Sequence, residues 1–316
     1  MNLNNKQLLN FNDRIKFLQK DKEKYQPQID HLVSSIKKHI SEKTDSRVLR
    51  VLQCGSWRKG TIIKPKDDIP VDIDLVFFLD IDHLDIVSLQ QANDIILPIL
   101  KSIYPNKSDD DFWDSSKTAG IKFVASGLCV DVVPVGKTDY EEYVAQPDEN
   151  NGVYFTSPKK QLDFIRERKE ENGNYAAIVR ILKKWRNVHD VKLSSFAIEL
   201  IVAHLDIEKG VEINIQEAIL RFFRLVSKKQ MPIVLFNDLY GNYVHDGAHV
   251  YIADPTNQEN NVVKKLTDVD WNRIRISADT AFETLLLAEE QDHVSTTIDL
   301  WKEVFGPAFN IDPNEN

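Results

Sequence analysis

Residues 71–79 read VDIDLVFFL, a period-two alternation that passes into a solid apolar run. That period belongs to a strand with one face in a core, so Val71, Ile73 and Leu75 are expected to point inward. Asp72 and Asp74 then share the opposite face, roughly 6–7 Å apart along the chain. Two ionised carboxylates this close repel each other. A strand tolerates such a pair on open solvent or around bound cations. Alone, D-x-D is most often a pair of edge-strand aspartates facing water.

The neighbours on either side sharpen that reading. Upstream, 48–54 (VLRVLQC) reads as a strand ended by Gly55-Ser56, with 57–61 able to start a short helix. Backbone N–H groups at such a turn, with the Ser56 hydroxyl, can grip the terminal phosphates of a triphosphate. Glycine is needed there because a Cβ would block close approach. Downstream, IKFVASGLCVDVVPV (121–135) reads as a hairpin broken at Ser126-Gly127, and it sets Asp131 within apolar alternation like that around Asp72 and Asp74. Three carboxylates from neighbouring strands can hold two Mg²⁺ or Mn²⁺ ions about 3.5–4 Å apart. The order matters more than any member: Gly-Ser, D-x-D about 16 residues later, then a lone Asp in a later strand.

Helical spacing over 12–43, carried by Ile15, Leu18, Tyr25, Ile29, Leu32, Ile36 and Ile40, predicts a long N-terminal helix. A second helix is expected over 88–104, before the acidic loop SDDDFWD. Strand, turn, strand, helix and hairpin together imply a small mixed sheet with helices on one face. From Ser157 the pattern turns helical: 158–172, 174–188, 194–205 and 215–226 each carry an apolar stripe of helical period. A β-like interruption at 231–255 leads to two last helices, 267–290 and 295–305. The expected organisation is an α+β, two-lobed chain. Residues 1–150 form the sheet lobe with its N-terminal helix, 151–310 a helical lobe and 311–316 a disordered tail. The boundary falls in polar sequence near 137–156, with a nucleotide cleft between lobes.

Composition narrows the classes. Pro and Gly together number 23 of 316 residues, too few for a disordered or collagenous chain. No apolar run reaches the roughly 20 residues that span a bilayer, and the polar start MNLNNKQLLNFNDR lacks a secretory apolar region. Cys54 and Cys129 sit in apolar strand-like runs and read as buried thiols in a reducing cytoplasm. The net charge of −9 argues against coating nucleic acid with the whole surface. Charge is uneven, however: 159–192 carries five more basic than acidic residues, whereas 67–85 holds seven Asp and no Lys or Arg.

The Gly-Ser, D-x-D and third-Asp order resembles the polymerase-β-like nucleotidyltransferases. NYAAIVRILKKWRNVHDVKLSSFAIELIVAHL and YIADPTNQENNV resemble the corresponding parts of 2′-5′-oligoadenylate synthetases and cyclic GMP-AMP synthase, and AEEQDHVSTTIDLWKEVFGPAF resembles the end of bacterial CD-NTases. The likeness spans roughly 45–310. It implies a CD-NTase fold and assigns the metal role to Asp72, Asp74 and Asp131, with Asp131 also favouring deprotonation of an attacking hydroxyl. It assigns phosphate binding to Gly55 and Ser56, triphosphate contact to Lys183, phosphate contact to Ser195 and base stacking to Phe196. The residues have plainer readings too. Lys183 reads as a solvated helix residue, Ser194 or Ser195 as a helix N-cap, and Phe196 as core. Trp57 either borders the pocket or is buried. Phe196 stands where several relatives have Tyr, so the ring can still stack but offers no hydroxyl. Two cysteines cannot supply the zinc insertion of the animal enzyme, so direct binding of double-stranded DNA is not expected.

The resemblance implies synthesis of a cyclic di- or trinucleotide second messenger from ATP, alone or with other nucleoside triphosphates. It also implies a separate effector in anti-phage CBASS signalling and a regulatory protein partner. Two alternatives use the same residues differently: template-free RNA or tRNA tailing, and a catalytically silent interaction protein.

Overall fold

The computed structural model of the 316-residue chain describes residues 1–65, 70–115, 117–140, 142–147, 152–230, 233–236, 247 and 250–311. In chain order its helices are α1 (Asn5–Ile15), α2 (Gln19–Glu23), α3 (Gln26–Lys43), α4 (Gly55–Lys59), α5 (Ile86–Asp94), α6 (Ile96–Ile103), α7 (Pro158–Glu171), α8 (Tyr175–Val188), α9 (Ser195–Lys209), α10 (Ile215–Val226), α11 (Asp268–Glu289) and α12 (Val294–Phe305). The strands are β1 (Val48–Gln53), β2 (Val71–Asp82), β3 (Phe112–Asp114), β4 (Ala119–Phe123), β5 (Leu128–Lys137), β6 (Val144–Pro147), β7 (Val153–Thr156), β8 (Ala253–Asp254) and β9 (Asn257–Asn261). They divide into two units: Phe17–Gly60 with Lys64–Asp163, and Met1–Lys16 with Thr61–Ile63 and Phe164–Asn316.

The first unit is built on a seven-stranded mixed sheet, in the order β1-β2-β5-β4-β3, with β6 joining β5 and β7 joining β6. The central pair, β2 and β5, is parallel and the other pairs are antiparallel. The expected hairpin is β4-β5; it turns at Gly127, whose φ of +67° favours glycine. Val71, Ile73, Leu75, Phe77 and Leu79 are buried on one side of β2. The other side changes character along its length. Asp72 is exposed and Asp74 half-buried, whereas Val76 and Phe78 pack with Cys54, Val135 and Val144. One sheet face is therefore open at the start of β2 and closed by an apolar cluster further along. Helices α3, α5 and α6 pack against the sheet, α3 through Ile29, Leu32, Ile36 and Ile40.

The second unit is helical. Helices α8 to α12 pack against one another around a continuous apolar core. Trp185 lies 5.0 Å from Phe223 and 6.2 Å from Phe222, and Trp301 stacks on Phe305 and Phe309 at 5.3 and 5.1 Å. Helix α9 shows how such a core is filled: it is buried at every position from 197 to 203, so it is enclosed on all sides rather than along one stripe.

Several expectations are corrected. The long N-terminal helix is three helices. Lys16 is extended (ψ 130°), Leu18 caps α2 from an extended conformation (ψ 158°), and Pro27 opens α3. The apolar spacing runs through the breaks because the interruptions are short. The N-terminal segment also divides. Leu3, Leu8, Phe11 and Ile15 lie in the helical core, where the Arg180 guanidinium donates to Asn12 Oδ1 (2.7 Å), so 1–16 groups with the C-terminal helices. The two units divide at Asp163/Phe164. The 88–104 helix is α5 and α6, interrupted at Ile95 just ahead of Pro98. Parts of the KPKDDIP turn, of the 137–156 linker and of the 231–255 interruption lie outside the described residues. So does the tail, apart from Ile311, which is buried.

Candidate active site

The sheet face that carries Asp72 and Asp74 is organised as rows of paired residues. Across β2 and β5, Asp72 pairs with Cys129 and Asp74 with Asp131. Paired neighbours and residues two apart point the same way, so all three carboxylates project from one face, as the alternation predicted. The row through Asp74 and Asp131 continues to Gly120 on β4 and Trp113 on β3.

Each end of this row depends on a glycine. At Gly55, with φ +63°, a Cβ would lie 1.7 Å from Asp74 Oδ2, so that carboxylate rests directly on the turn after β1. The turn is also pinned to β2, because the Cys54 N–H donates to the Asp74 carbonyl at 2.8 Å. Ser56 follows at the start of α4, half-buried. At the other end, the Trp113 indole Nε1 donates to Asp131 Oδ1 at 2.7 Å. Burial pushes the Asp131 carboxyl above its ordinary value, and the indole hydrogen bond opposes that rise.

Trp57 is core. It is 3 % exposed, packs with Phe17 and Tyr25 at 5.7 and 6.2 Å, and accepts at its carbonyl from Lys22 Nζ (2.6 Å). Cys54 is buried as expected, while Cys129 is only partly so and stands on the carboxylate face beside Asp72.

The donor set suits a hard divalent cation such as Mg²⁺ or Mn²⁺, since it consists of carboxylate oxygens on one open strand face. These donors are spread along the face. Among the described residues, no three His, Cys, Asp or Glu side chains are gathered closely enough to hold an ion as they stand.

The remaining predicted residues belong to the helical unit. Lys183 is not solvated: it is 1 % exposed, and its Nζ donates to Glu199 Oε1 at 2.9 Å and to the Thr61 hydroxyl and carbonyl at 3.0 and 3.3 Å. Glu199, equally buried, also accepts from the Thr61 hydroxyl at 2.5 Å. Lys183 is thus the cation of an internal ion pair, and contact with a triphosphate would require that pair to open. Ser194 is the N-cap of α9, accepting from the Ala197 N–H at 3.0 Å. Ser195 is not the cap; its hydroxyl accepts from Arg186 Nη1 at 3.0 Å. Phe196 is half-buried against the helical core. Sequence reasoning missed Trp113, Gly120, Thr61, Arg186 and Glu199. Only Gly120 carried a local signal, as an isolated glycine within a strand pattern.

Residues 1–170 match the family model of the Second Messenger Oligonucleotide or Dinucleotide Synthetase domain. Over 318 aligned residues the chain is 30% identical to the CBASS oligonucleotide cyclase CdnC of Escherichia coli (strain KTE188), covering 99% of both chains. The chain belongs to this family. It is a CD-NTase, and so an enzyme of the nucleotidyltransferase class that makes cyclic oligonucleotides. It is also 29% identical to the cyclic AMP-AMP-AMP synthase of E. coli (strain MS 115-1), over 90% of this chain and 91% of that one. The fold is that of the solved CD-NTase structures. The structure of E. coli MS115-1 CdnC with ATP superposes with a TM-score of 0.77 at 27% identity, over 98% of this chain and 99% of that one. The CdnC complex with HORMA-deltaN gives 0.76 at 27% identity, over 98% of each. No helix among the described residues is long and apolar enough to cross a membrane.

Proposed function

We propose that this CD-NTase joins ATP units, in a metal-dependent reaction that releases pyrophosphate, into a cyclic trinucleotide that signals to a separate CBASS effector. The single observation that carries the site assignment is the row in which Asp74 and Asp131 pair across parallel strands, with Asp72 on the same face and the Gly55 backbone against Asp74. Asp72, Asp74 and Asp131 are the residues that would hold two Mg²⁺ or Mn²⁺ ions. Bound there, the ions supply charge neutralisation to the triphosphate and acidity to a ribose hydroxyl. Gly55 and Ser56 bind the terminal phosphates through backbone N–H groups and the hydroxyl. Asp131 would draw the proton from the attacking hydroxyl. The hydroxyl oxygen forms a bond to the α-phosphorus of the next nucleotide as the bond to pyrophosphate breaks, and a last intramolecular attack closes the ring. Catalysis of this kind rests on positioning and electrostatics, without a covalent enzyme intermediate.

Ser195, held by Arg186, and Phe196 are proposed as phosphate and base contacts. Lys183 joins them only if the triphosphate displaces Glu199. The ATP-bound structure and the cyclic AMP-AMP-AMP synthase support adenine and a three-membered product, and the HORMA-deltaN complex supports a regulatory protein of that kind.

The test is incubation with radiolabelled nucleoside triphosphates and Mg²⁺ or Mn²⁺, with and without a HORMA-domain partner, followed by phosphatase digestion and mass spectrometry. A phosphatase-resistant cyclic adenylate is expected, and Asp72→Asn/Asp74→Asn should lower its formation at least about 1,000-fold, equivalent to about 4 kcal/mol. Full activity in that double variant would refute the site, and lengthened added RNA would favour tailing instead.

A further inference from the structure

The edge of the sheet next to the carboxylates carries an arrangement that no role above requires. Trp113 on β3 is separated from Asp131 on β5 by the whole of β4, yet its indole N–H reaches Asp131 Oδ1 at 2.7 Å. It does so by lying across Gly120. A Cβ built on Gly120 would meet the indole Cε2, Cζ2 and Nε1 at 2.0, 2.1 and 2.3 Å. Gly120 is not among the residues with positive φ, so backbone conformation does not explain a glycine there. A glycine inside a strand weakens it, and the gain in return is room for a neighbour to approach closely. Two independent features, a directed hydrogen bond and a vacated side-chain position, therefore converge on one carboxylate.

We propose that Trp113 is a positioning residue of the nucleotidyl transfer, fixing the orientation of the Asp131 carboxylate, with Gly120 as the clearance that lets it do so. The inference rests on the reading of Asp131 as the third metal carboxylate. A carboxylate on an open face can turn about its last side-chain bond, and that torsion has broad wells. The hydrogen bond engages Oδ1 and so restricts that rotation, leaving Oδ2 for an ion on the face shared with Asp74. Outer partners of this kind orient metal ligands, and losing one typically lowers metal affinity or activity by about 10–100-fold. A ring that merely filled the sheet edge would have no need of its N–H.

The decisive variant replaces Trp113 with β-(3-benzothienyl)alanine, which keeps the shape of the bicyclic ring and puts sulfur in place of the N–H. Trp113→Phe and Gly120→Ala accompany it. Mn²⁺ binding is read from the electron paramagnetic resonance signal of the free ion, without turnover. The cyclase rate and the KM for ATP are measured in parallel, and folding by thermal unfolding. The expected result for the analogue is an unchanged melting temperature and an unchanged KM for ATP. Mn²⁺ affinity or kcat should fall about 10–100-fold. Gly120→Ala should move Mn²⁺ affinity the same way, but little when combined with Trp113→Phe, because both disrupt the same hydrogen bond. Wild-type Mn²⁺ binding and rate in the folded analogue would overturn the proposal. Asp131→Asn serves as the separate check on the site itself. If it keeps wild-type metal binding and activity, the assignment of Asp131 fails. If it loses both while the analogue does not, only the positioning role fails.

Discussion

The carboxylate face of the sheet and the Lys183–Glu199–Thr61 node of the helical unit both place charge where a core residue could stand, with opposite consequences. On the sheet, Asp72 is exposed and Asp74 and Asp131 half-buried, so the charges stay in contact with solvent. In the node, Lys183 and Glu199 are each 1 % exposed, and Lys183 is satisfied internally by Glu199 and Thr61. Like charges side by side on a strand face repel each other, and a cation bound between them would relieve that repulsion. An opposite pair inside a helical core is already neutralised, and works against any third party that needs one of its members.

The largest test of that contrast is stability. Lys183→Met leaves a buried carboxylate without its cation and should lower unfolding free energy by about 3–5 kcal/mol, and Glu199→Gln should be costly for the converse reason. Lys183→Met/Glu199→Leu should recover most of the loss, whereas Asp72→Asn on the open face should stay within about 0.5 kcal/mol of wild type. Urea unfolding measures all four. If Lys183→Met leaves the midpoint unmoved, the node is not a closed pair and Lys183 is available to phosphate.

A smaller effect separates the two turns that flank the face. Gly55→Ala drives a Cβ into Asp74 at φ +63°, so it combines backbone strain with displacement of a carboxylate. Gly127→Ala has similar φ, +67°, but open space around the new Cβ. Both should lose about 1–2 kcal/mol from the left-handed backbone. Only Gly55→Ala should also depress cyclase activity at temperatures where both proteins remain folded, and equal activity losses would dissolve the distinction.

The smallest effect concerns the two thiols beside the carboxylates. Burial first, and then the Asp74 charge, pushes Cys54 up from 9.0 to about 12. A raised value means the thiol's contribution to stability is complete below the ordinary 9.0 and drains away as pH climbs towards about 12. Cys54→Ala should therefore blunt the alkaline loss of stability over that interval. Burial first, and then the Asp72 charge, also raises Cys129. With iodoacetamide at about pH 8.5, the partly exposed Cys129 should therefore be alkylated slowly in the native protein, and Cys54 only on unfolding. Equal labelling rates would show that the covered end of the face is not closed.

Much of the sheet is readable from sequence because strand periodicity is local. VDIDLVFFL announces which side of β2 is apolar, and CVDVVPV does so for β5. Gly55 is readable for the same reason: glycine at a strand end is a statement about its own backbone. Helical periodicity misleads at 12–43 because apolar residues three or four apart look alike whether one helix or three carries them. The capping box of Asn4 and Gln7, which starts α1, is a local signal that apolar spacing alone does not register. Lys183 reads as solvated from sequence because its partner Glu199 lies 16 residues away on another helix, and Thr61 lies 122 residues away.

By itself, then, the sequence determined that three aspartates stand on strand faces behind a Gly-Ser turn, since side-chain direction alternates with every residue of a strand. It also determined, through the length of its matched pattern, which family of enzymes the chain belongs to. Tertiary structure alone decided that Asp131 is held by an indole lying over Gly120, that Asp74 rests on Gly55, and that Lys183 is committed to Glu199. These are pairings between distant parts of the chain, set by sheet register and helix packing, and no local periodicity encodes which residue a side chain will meet.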